Sequence, residues 1–241
     1  LLGAGAKRDT SIVSAGDVYG ATYALQRDLL ASLGVRTHFV DATDLDQVEE
    51  ILDQERPVAL VCETISNPLL KVADVPALAR LAHQVGAKLV VDNTFASPYL
   101  FRPLDTGADY VVHSATKYLA GHGDVMAGVV ACSEEQAKDL RERQKVLGAN
   151  LGPEQAWLAM RGLRTLALRM RQQCASAQIV AEWLSEATSV AHVNYPGLTG
   201  HPQHALSKRL FRGRGFGGMI SFDIRDAHQP EVFQFMEALE L

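Results

Sequence analysis

The sequence predicts an α/β fold in which a mostly parallel β-sheet is covered by helices on both faces. Short aliphatic and β-branched runs alternate with segments of helical periodicity through the first two thirds of the chain. Almost no hairpin-type turns separate these runs. Strands that are joined through helices pair in parallel, and a parallel sheet is buried on both faces.

The predicted elements follow from this alternation. The strands are Ser11–Ser14, Thr37–Val40, Val58–Cys62, Lys88–Asp92, Tyr110–His113 and Gly128–Cys132. The helices between several of them are Tyr23–Leu33, Leu45–Gln54, Val75–Val85 and Glu134–Leu147. Asp74 suits an N-cap, Pro76 suits an early helical position, and Ser133 suits a second N-cap.

The pattern changes after Pro153, where a long helical stretch runs to about Ala187 and Gly162 is a candidate kink. The segments predicted after it are a strand at Val190–Tyr195, a helix at Gln203–Phe211 and a strand at Met219–Ile224. We therefore predict a large domain over residues 1–170 and the start of a smaller α+β domain over residues 171–241.

Composition limits the functional class. The 241 residues carry a net charge of −5, which argues against a nucleic-acid surface. No apolar run approaches the roughly 18 residues that span a membrane, and no signal peptide is visible at the start. The three cysteines are odd in number and lie in apolar runs, so we expect them reduced in a cytoplasmic protein.

A lysine follows one of the buried strands in a setting that suits chemistry. The strand at Tyr110 leads to Ser114, Thr116 and Lys117, and a glycine-rich segment comes next. A lone lysine after a strand is usually a solvated charge. Ligands in open α/β sheets, however, bind beyond the carboxyl ends of the strands. A lysine there can form a Schiff base with an aldehyde cofactor while the two hydroxyls hold its phosphate.

Two further side chains complete this pattern. Asp92 ends the strand that precedes the lysine strand, and Tyr19 lies in a glycine-flanked turn after the first strand. A carboxylate can hold a proton on a pyridine nitrogen, and an aromatic ring can stack on the pyridine. Lys117, Asp92 and Tyr19 are the three groups that a pyridoxal 5′-phosphate (PLP) site needs.

Several segments resemble the Cys/Met-metabolism family of PLP-dependent enzymes, which includes cystathionine γ-lyase, cystathionine γ-synthase and methionine γ-lyase. The segments are VYGATY, ETISNPLLKVADV, AHQVGAKLVVDNTFASPYL, HSATKYLAGHGDVMAGVV, MRGLRTLALRM and YPGLTGHPQH. The resemblance implies the aspartate-aminotransferase-like fold, an amino-acid substrate, and a homotetramer built as a dimer of dimers with shared active sites. It also implies elimination or replacement at the γ-carbon of cystathionine, O-acylhomoserine or methionine-type substrates.

The resemblance also implies a role for each candidate residue. Lys117 carries the cofactor and moves protons, Asp92 pairs with the ring nitrogen, and Tyr19 stacks and assists the leaving group. The phosphate is assigned to Ser114 and Thr116, and the ring's phenolic oxygen to Asn67. An Asn-Pro turn explains Asn67 nearly as well, and Glu63 and Thr94 are expected near the same sheet edge.

Metal binding is not predicted. His122 and Asp124 lack an apparent third ligand, and a glycine-rich turn explains them. His201 and His204 lie three residues apart at a helix start, which is weak support for zinc.

The sequence departs from the family pattern at Ala21, where methionine γ-lyases usually carry cysteine, and at Ile65, where proline is frequent. Family members are longer at both ends. Their phosphate-binding Ser-Gly turn, intersubunit arm and carboxylate-binding arginine are expected outside this chain. We therefore expect the chain alone to bind cofactor weakly and to turn over slowly or not at all. The alternatives are a non-catalytic remnant, a β-eliminating cystathionine lyase and an aminotransferase.

Overall fold

The computed structural model describes residues 1–240, and their strands form two sheets. The strands are β1 (Ser11–Ala15), β2 (Arg36–Val40), β3 (Ala59–Glu63), β4 (Lys88–Asp92), β5 (Tyr110–Ser114), β6 (Gly128–Ala131), β7 (Val190–Asn194) and β8 (Ser221–Ile224). The bounds of β1 to β6 agree with the predicted bounds to within one residue. Aliphatic and β-branched runs between segments of helical periodicity were thus sufficient to find these six strands.

The helices surround these strands. They are α1 (Gly20–Ala24), α2 (Leu45–Glu55), α3 (Val75–Gln84), α4 (Ser97–Leu100), α5 (Glu134–Leu147), α6 (Pro153–Leu163), α7 (Leu166–Glu186), α8 (His204–Phe211) and α9 (Gln229–Glu237). Both predicted caps form: Asp74 Oδ1 accepts from the N–H of Ala77, and Ser133 makes a capping box with Gln136. The short α4 and the late α9 were not predicted.

The large sheet has the order β2-β1-β3-β4-β5-β6 and is parallel from β2 to β5. Side chains on one face of it pack with α2 and α3, as with Val13, Leu60 and Val91. Those on the other face, such as Ile12 and Val90, form a second buried cluster. The predicted α/β fold with a covered, mostly parallel sheet is confirmed.

The last strand of this sheet, β6, runs antiparallel to β5 and pairs Gly128 with Ser114. The connection between them contains a short π-helical turn, Ala115–Leu119, but no crossover helix. Parallel neighbours need a crossover of a dozen or more residues, usually helical, so this connection returns the chain antiparallel. The start of β6 consequently lies beside the end of β5.

Two predicted helices differ in detail. The helix predicted at Tyr23–Leu33 begins earlier, with α1 at Gly20, and continues as a π-helical segment at Leu25–Leu30. The long stretch after Pro153 is interrupted, as Gly162 suggested, at Arg164 and Thr165 between α6 and α7.

The second sheet consists of antiparallel β7 and β8. Helix α8, which lies between these two strands in the chain, contacts the N-cap of α3 through an ion pair between Arg209 and Asp74 at 2.6 Å. The division into domains 1–170 and 171–241 stays a proposal; α7 crosses that boundary. None of the helices among residues 1–240 is both long and apolar enough to cross a membrane.

Candidate active site

Four strand ends along one edge of the large sheet carry the candidate residues. The chain leaves β1 towards Tyr19, β3 ends at Glu63, β4 ends at Asp92 and β5 ends at Ser114. Because β1 lies between β2 and β3, the strand order reverses beside β1. Ligands of open α/β sheets bind in the crevice at such a reversal.

Tyr19 lies at this reversal and presents an open aromatic face. Its side chain is 55% exposed, whereas Tyr195 in the second part of the chain is fully buried. The backbone N–H of Tyr19 donates to Oε1 of Glu63 at 2.8 Å, which joins the turn after β1 to the end of β3. An exposed ring on an anchored backbone is suited to stacking on a flat ligand.

Glu63 is a buried acid at the end of β3, beside the reversal of strand order. Burial raises the pKa of its carboxyl to about 8, and the negative charges of Asp92 and Asp17 act in the same direction. Hydrogen bonds from the backbone N–H groups of Tyr19 and Asn67 oppose the rise in pKa. The Glu63 carboxyl therefore keeps its proton to a higher pH than an exposed glutamate does.

Asp92 is held by Thr94, two residues further along the chain. The N–H of Thr94 donates to Oδ1 of Asp92 at 2.8 Å, and the Thr94 hydroxyl accepts from the N–H of Ser114 at 2.8 Å. Thr94 thus fixes the carboxylate at the end of β4 relative to the end of β5. The expectation that Glu63 and Thr94 lie at this sheet edge agrees with their positions.

The buried side-chain amide of Asn93 links the chain segments at this sheet edge by hydrogen bonds. Asn93 accepts a hydrogen bond from the Thr64 hydroxyl at 2.7 Å and donates one to the carbonyl of Phe101 at 2.9 Å. Asn93 and Thr64 are fully buried. Satisfied buried networks restrict local motion, so the ends of β3 and β4 form a firm base for the crevice.

Lys117 lies three residues beyond the end of β5. Its backbone has φ −90° and ψ −123°, which interrupts the helical turn, and its side chain is exposed. The Lys117 carbonyl accepts from the N–H of Gly121 at 2.8 Å. The amine is therefore carried on a short irregular segment rather than on a regular helix face.

The two hydroxyls before the lysine are in different situations. The Thr116 hydroxyl accepts from the N–H of Ala127 at 3.0 Å and lies 3.4 Å from the Ala127 carbonyl. It thus ties residues 115–120, which we call the lysine segment, to the start of β6. Within residues 1–240, Ser114 Oγ has no hydrogen-bond partner. Only the Ser114 hydroxyl is thus free for an anion without any exchange of partners.

Arg169 on α7 clamps the lysine segment, a role that sequence reasoning missed. Its guanidinium donates to the carbonyls of Tyr118 and Gly162 at 2.8 Å each, and to that of Leu119 at 3.4 Å. Burial lowers its pKa. The motif MRGLRTLALRM contains this arginine, but nothing in its spacing identifies carbonyls so far away in the sequence as its partners.

Asn67 lies at the tip of a closed loop after β3. The N–H of Ser66 donates to the Lys71 carbonyl at 2.9 Å, and Ile65 pairs with Val72 in an isolated bridge. The Asn67–Pro68 peptide bond is cis. The loop therefore turns back directly after β3, with the N–H of Asn67 near enough to Glu63 to lower the pKa of that carboxyl.

The histidines singled out in the sequence lie elsewhere. His122 is exposed, with Nδ1 2.6 Å from the Ala120 carbonyl. His201 Nδ1 accepts from the N–H of Gln203 at 3.2 Å, and His204 stacks on Phe216. Among the residues that the structure describes, no group of three or more His, Cys, Asp or Glu side chains is arranged to hold a metal ion.

The residues along this edge fit PLP in their chemistry. Three suitable groups lie at or just beyond strand ends along the same sheet edge. They are an exposed amine, a carboxylate with one oxygen not used by Thr94, and an exposed aromatic ring. The free Ser114 hydroxyl supplies a donor for a phosphate.

Comparisons with known proteins agree with this assignment. A family model described as "Cys/Met metabolism PLP-dependent enzyme" matches residues 1–241. Over 223 residues, the chain is 45% identical to cystathionine beta-lyase of Lactococcus lactis subsp. cremoris and 44% identical to cystathionine gamma-lyase of Bacillus subtilis. Each match covers 92% of this chain and 58% of the relative, so the chain spans a little more than half their length.

Solved structures give the same result. The fold matches cystathionine gamma-lyase from Lactobacillus plantarum complexed with L-serine, with a TM-score of 0.92 at 36% identity, covering 97% of this chain and 60% of that one. It also matches cystathionine gamma synthase from Xanthomonas oryzae pv. oryzae in complex with cystathionine, with a TM-score of 0.93 at 38% identity, covering 99% and 61%.

Proposed function

Because the chain belongs to the Cys/Met-metabolism family of PLP-dependent enzymes, we propose that it forms much of a PLP site for elimination or replacement at the γ-carbon of sulfur-containing amino acids. The observation that carries this proposal is the presence of Lys117, Asp92 and Tyr19 at strand ends along one sheet edge. Sequence spacing alone does not require residues so far apart to share an edge.

When bound, PLP supplies an electron-accepting ring that stabilises negative charge on substrate carbons. In our proposal, Lys117 Nζ holds the cofactor's aldehyde carbon and, once released, moves a proton between the substrate's Cα and Cβ. Asp92 holds a proton at the ring nitrogen through the oxygen that Thr94 leaves free. Both roles need groups that are accessible from the crevice, and Lys117 is exposed.

The remaining residues orient the bound group. Tyr19 stacks on its ring and passes a proton to the leaving sulfur, Ser114 and Thr116 hold the phosphate, and Asn67 meets the phenolic oxygen. For Thr116, this role requires its hydroxyl to give up the long 3.4 Å contact to the Ala127 carbonyl and donate to the phosphate instead. The hydroxyl keeps its acceptor role towards the Ala127 N–H.

The choice between β- and γ-chemistry is not decided by these residues. Relatives named cystathionine beta-lyase and cystathionine gamma-lyase are 45% and 44% identical to this chain, which is too small a difference to select one. A β-eliminating cystathionine lyase is therefore the second candidate function. Product analysis separates them, because γ-elimination of cystathionine releases cysteine and an α-keto acid, whereas β-elimination releases homocysteine and pyruvate.

We further propose a homo-oligomer, a tetramer in the complete enzyme, and a cytoplasmic location. Exposed apolar side chains support an oligomer: Trp157 and Met160 on α6 are 61% and 65% exposed. Contiguous apolar surface of this kind is typical of subunit contacts. The three unpaired cysteines are consistent with a reducing compartment.

The cofactor assignment is tested by absorption spectroscopy with added PLP, before and after borohydride reduction. We expect a visible band that reduction converts into a covalent adduct mapped to Lys117, and no such adduct in Lys117→Ala. Lys138→Ala, which removes an exposed lysine of α5, is the matched control and should behave like the wild type.

Two results would contradict the assignment. An adduct at other lysines with none at Lys117 would show that Lys117 does not carry the cofactor. The absence of any band in the wild-type chain would favour the non-catalytic alternative for this polypeptide.

A further inference from the structure

We propose that Glu63 is a positioning residue that holds the Tyr19 turn and the Asn67 loop together across the crevice and thereby sets the height of the Tyr19 ring above the site. The inference rests on the proposed function for the ligand over that ring. The geometry of the anchor itself belongs to the cofactor-free chain.

The contacts define the anchor. Glu63 is the last residue of β3, with an exposed fraction of only 9%. Its Oε1 accepts from the N–H of Tyr19 at 2.8 Å, and the N–H of Asn67 is near enough to the same carboxyl to lower its pKa. Tyr19 is 44 residues away in sequence, whereas Asn67 belongs to the loop that follows Glu63 itself. A single side chain thus bridges two loops that leave β1 and β3 separately.

The anchor matters because, among residues 1–240, the bond to Glu63 is the one hydrogen bond that joins the Tyr19 backbone to β3. The side chain of Tyr19 is more than half exposed, so packing does not position it. Tyr19 precedes the first turn of α1 and has no side-chain cap. Its N–H is one of the first-turn donors that need a partner outside the helix, and Glu63 provides that partner.

Burial and the charges around the anchor raise the pKa of its carboxyl. Asp92 on β4 and Asp17 on the loop after β1 face Glu63, and Cys62 precedes it on β3. Among residues 1–240, no lysine, arginine or histidine forms an ion pair with Glu63, and Lys71 reaches Asp17 at 3.9 Å instead. A protonated acid accepts the Tyr19 N–H without placing a second full charge next to Asp92.

The first test is amide hydrogen exchange of the cofactor-free chain by NMR, with two variants of Glu63. Glu63→Gln keeps an acceptor oxygen at the same length, whereas Glu63→Leu keeps the volume and removes the acceptor. We expect exchange of the Tyr19 and Asn67 amides to accelerate about tenfold or more in Glu63→Leu, and to change less than about threefold in Glu63→Gln. Unchanged exchange in Glu63→Leu would overturn the proposal.

The second test needs only well-folded proteins. In the wild type, the amide shifts of Tyr19 and Asn67 should titrate together with a midpoint at a pH of about 8, the pKa of Glu63. The titration should vanish in Glu63→Gln. Amide shifts that stay constant from pH 3 to pH 10, or that titrate unchanged in Glu63→Gln, would show that the carboxyl does not contact these amides. This result decides the case even when Glu63→Leu fails to fold.

A double-mutant cycle with PLP tests the link to the site. Glu63→Leu should weaken PLP binding about tenfold in the wild-type background, but much less in a Tyr19→Ala background, because Glu63 acts through the ring. Equal effects in both backgrounds would overturn the positioning role. If the chain forms no Lys117 adduct at all, the proposed function fails, while the two amide experiments still decide the anchor.

Discussion

At the scale of single residues, the buried Glu63 carboxyl makes folding depend on pH. Its pKa rises from 4.5 to about 8 on folding. The folded chain therefore binds more protons than the unfolded chain between these values. Its contribution to the free energy of unfolding is fully present below about pH 4.5 and is lost as the pH rises towards 8.

Glu63→Gln removes this contribution, and the expected result follows from the sign. Relative to Glu63→Gln, the unfolding free energy of the wild type should fall by up to about 1.4 kcal/mol for each pH unit between pH 5 and 8. Urea unfolding of both proteins at three pH values in this range measures it. Parallel stability curves would contradict the raised pKa.

The Thr116 hydroxyl shows how one side chain serves both the fold and the site. It accepts from the Ala127 N–H and thus joins the lysine segment to β6. Thr116→Ser keeps the hydroxyl, whereas Thr116→Val removes the acceptor of that partly buried N–H. We expect Thr116→Val to lose about 1–3 kcal/mol of stability and Thr116→Ser to lose less, as measured by urea unfolding. Equal losses would indicate that the methyl group, rather than the hydroxyl, matters.

At the scale of elements, the lysine segment is fixed by α6 and α7. Gly162 on α6 packs so closely against the segment that an added Cβ would overlap the carbonyl oxygen of Ala120. This neighbour is backbone and cannot swing aside like a flexible side chain. Gly162 was expected to be a kink, but close packing against the lysine segment gives it a second physical reason.

Gly162→Ala should accordingly destabilise the protein by about 1–3 kcal/mol, because the contact forces backbone to move. It should also slow borohydride trapping of PLP at Lys117, since the segment that carries the lysine is displaced. Gly200→Ala is the control: an added Cβ there meets open space, so its stability should remain close to that of the wild type. Equal behaviour of the two variants would contradict the packing argument.

Arg169→Lys tests the clamp from α7. The guanidinium serves carbonyls of Tyr118, Leu119 and Gly162 at once, which one ammonium group in the same position does not reproduce. We expect a loss of about 1–3 kcal/mol in thermal or urea unfolding. Arg171→Lys, at an exposed position of the same helix, should be neutral. A neutral Arg169→Lys would mean that the carbonyls find other donors.

At the scale of the whole molecule, the exposed apolar face of α6 predicts self-association. Trp157, Met160 and Leu163 recur at intervals of three residues, and each is at least 45% exposed. Light scattering should therefore give a multiple of the 26.2 kDa chain mass for the wild type. Trp157→Glu should shift the mass towards one chain, whereas Gln172→Glu, which adds the same charge at an exposed position of α7, should not. A monomeric wild type would contradict this prediction.

The sequence by itself determined the strands of the large sheet and the family. Strand and helix periodicity are local, so β1 to β6 were found to within one residue. The residues Lys117, Asp92 and Tyr19 were selected because each ends or follows a predicted strand, and parallel strands end at one edge. The family also followed from motifs, since a motif is read along the chain without knowledge of its partners.

Only the tertiary structure decided which groups touch. The hydrogen bond from Tyr19 to Glu63 spans 44 residues, and the bonds from Arg169 to Tyr118 and Leu119 span 51 and 50. The antiparallel return of β6 likewise brings Ala127 to Thr116. These pairings depend on strand order and on helix packing, which the whole sheet fixes at once. A local sequence pattern does not indicate which distant residues come into contact. The anchoring role proposed for Glu63 therefore follows only from the folded chain.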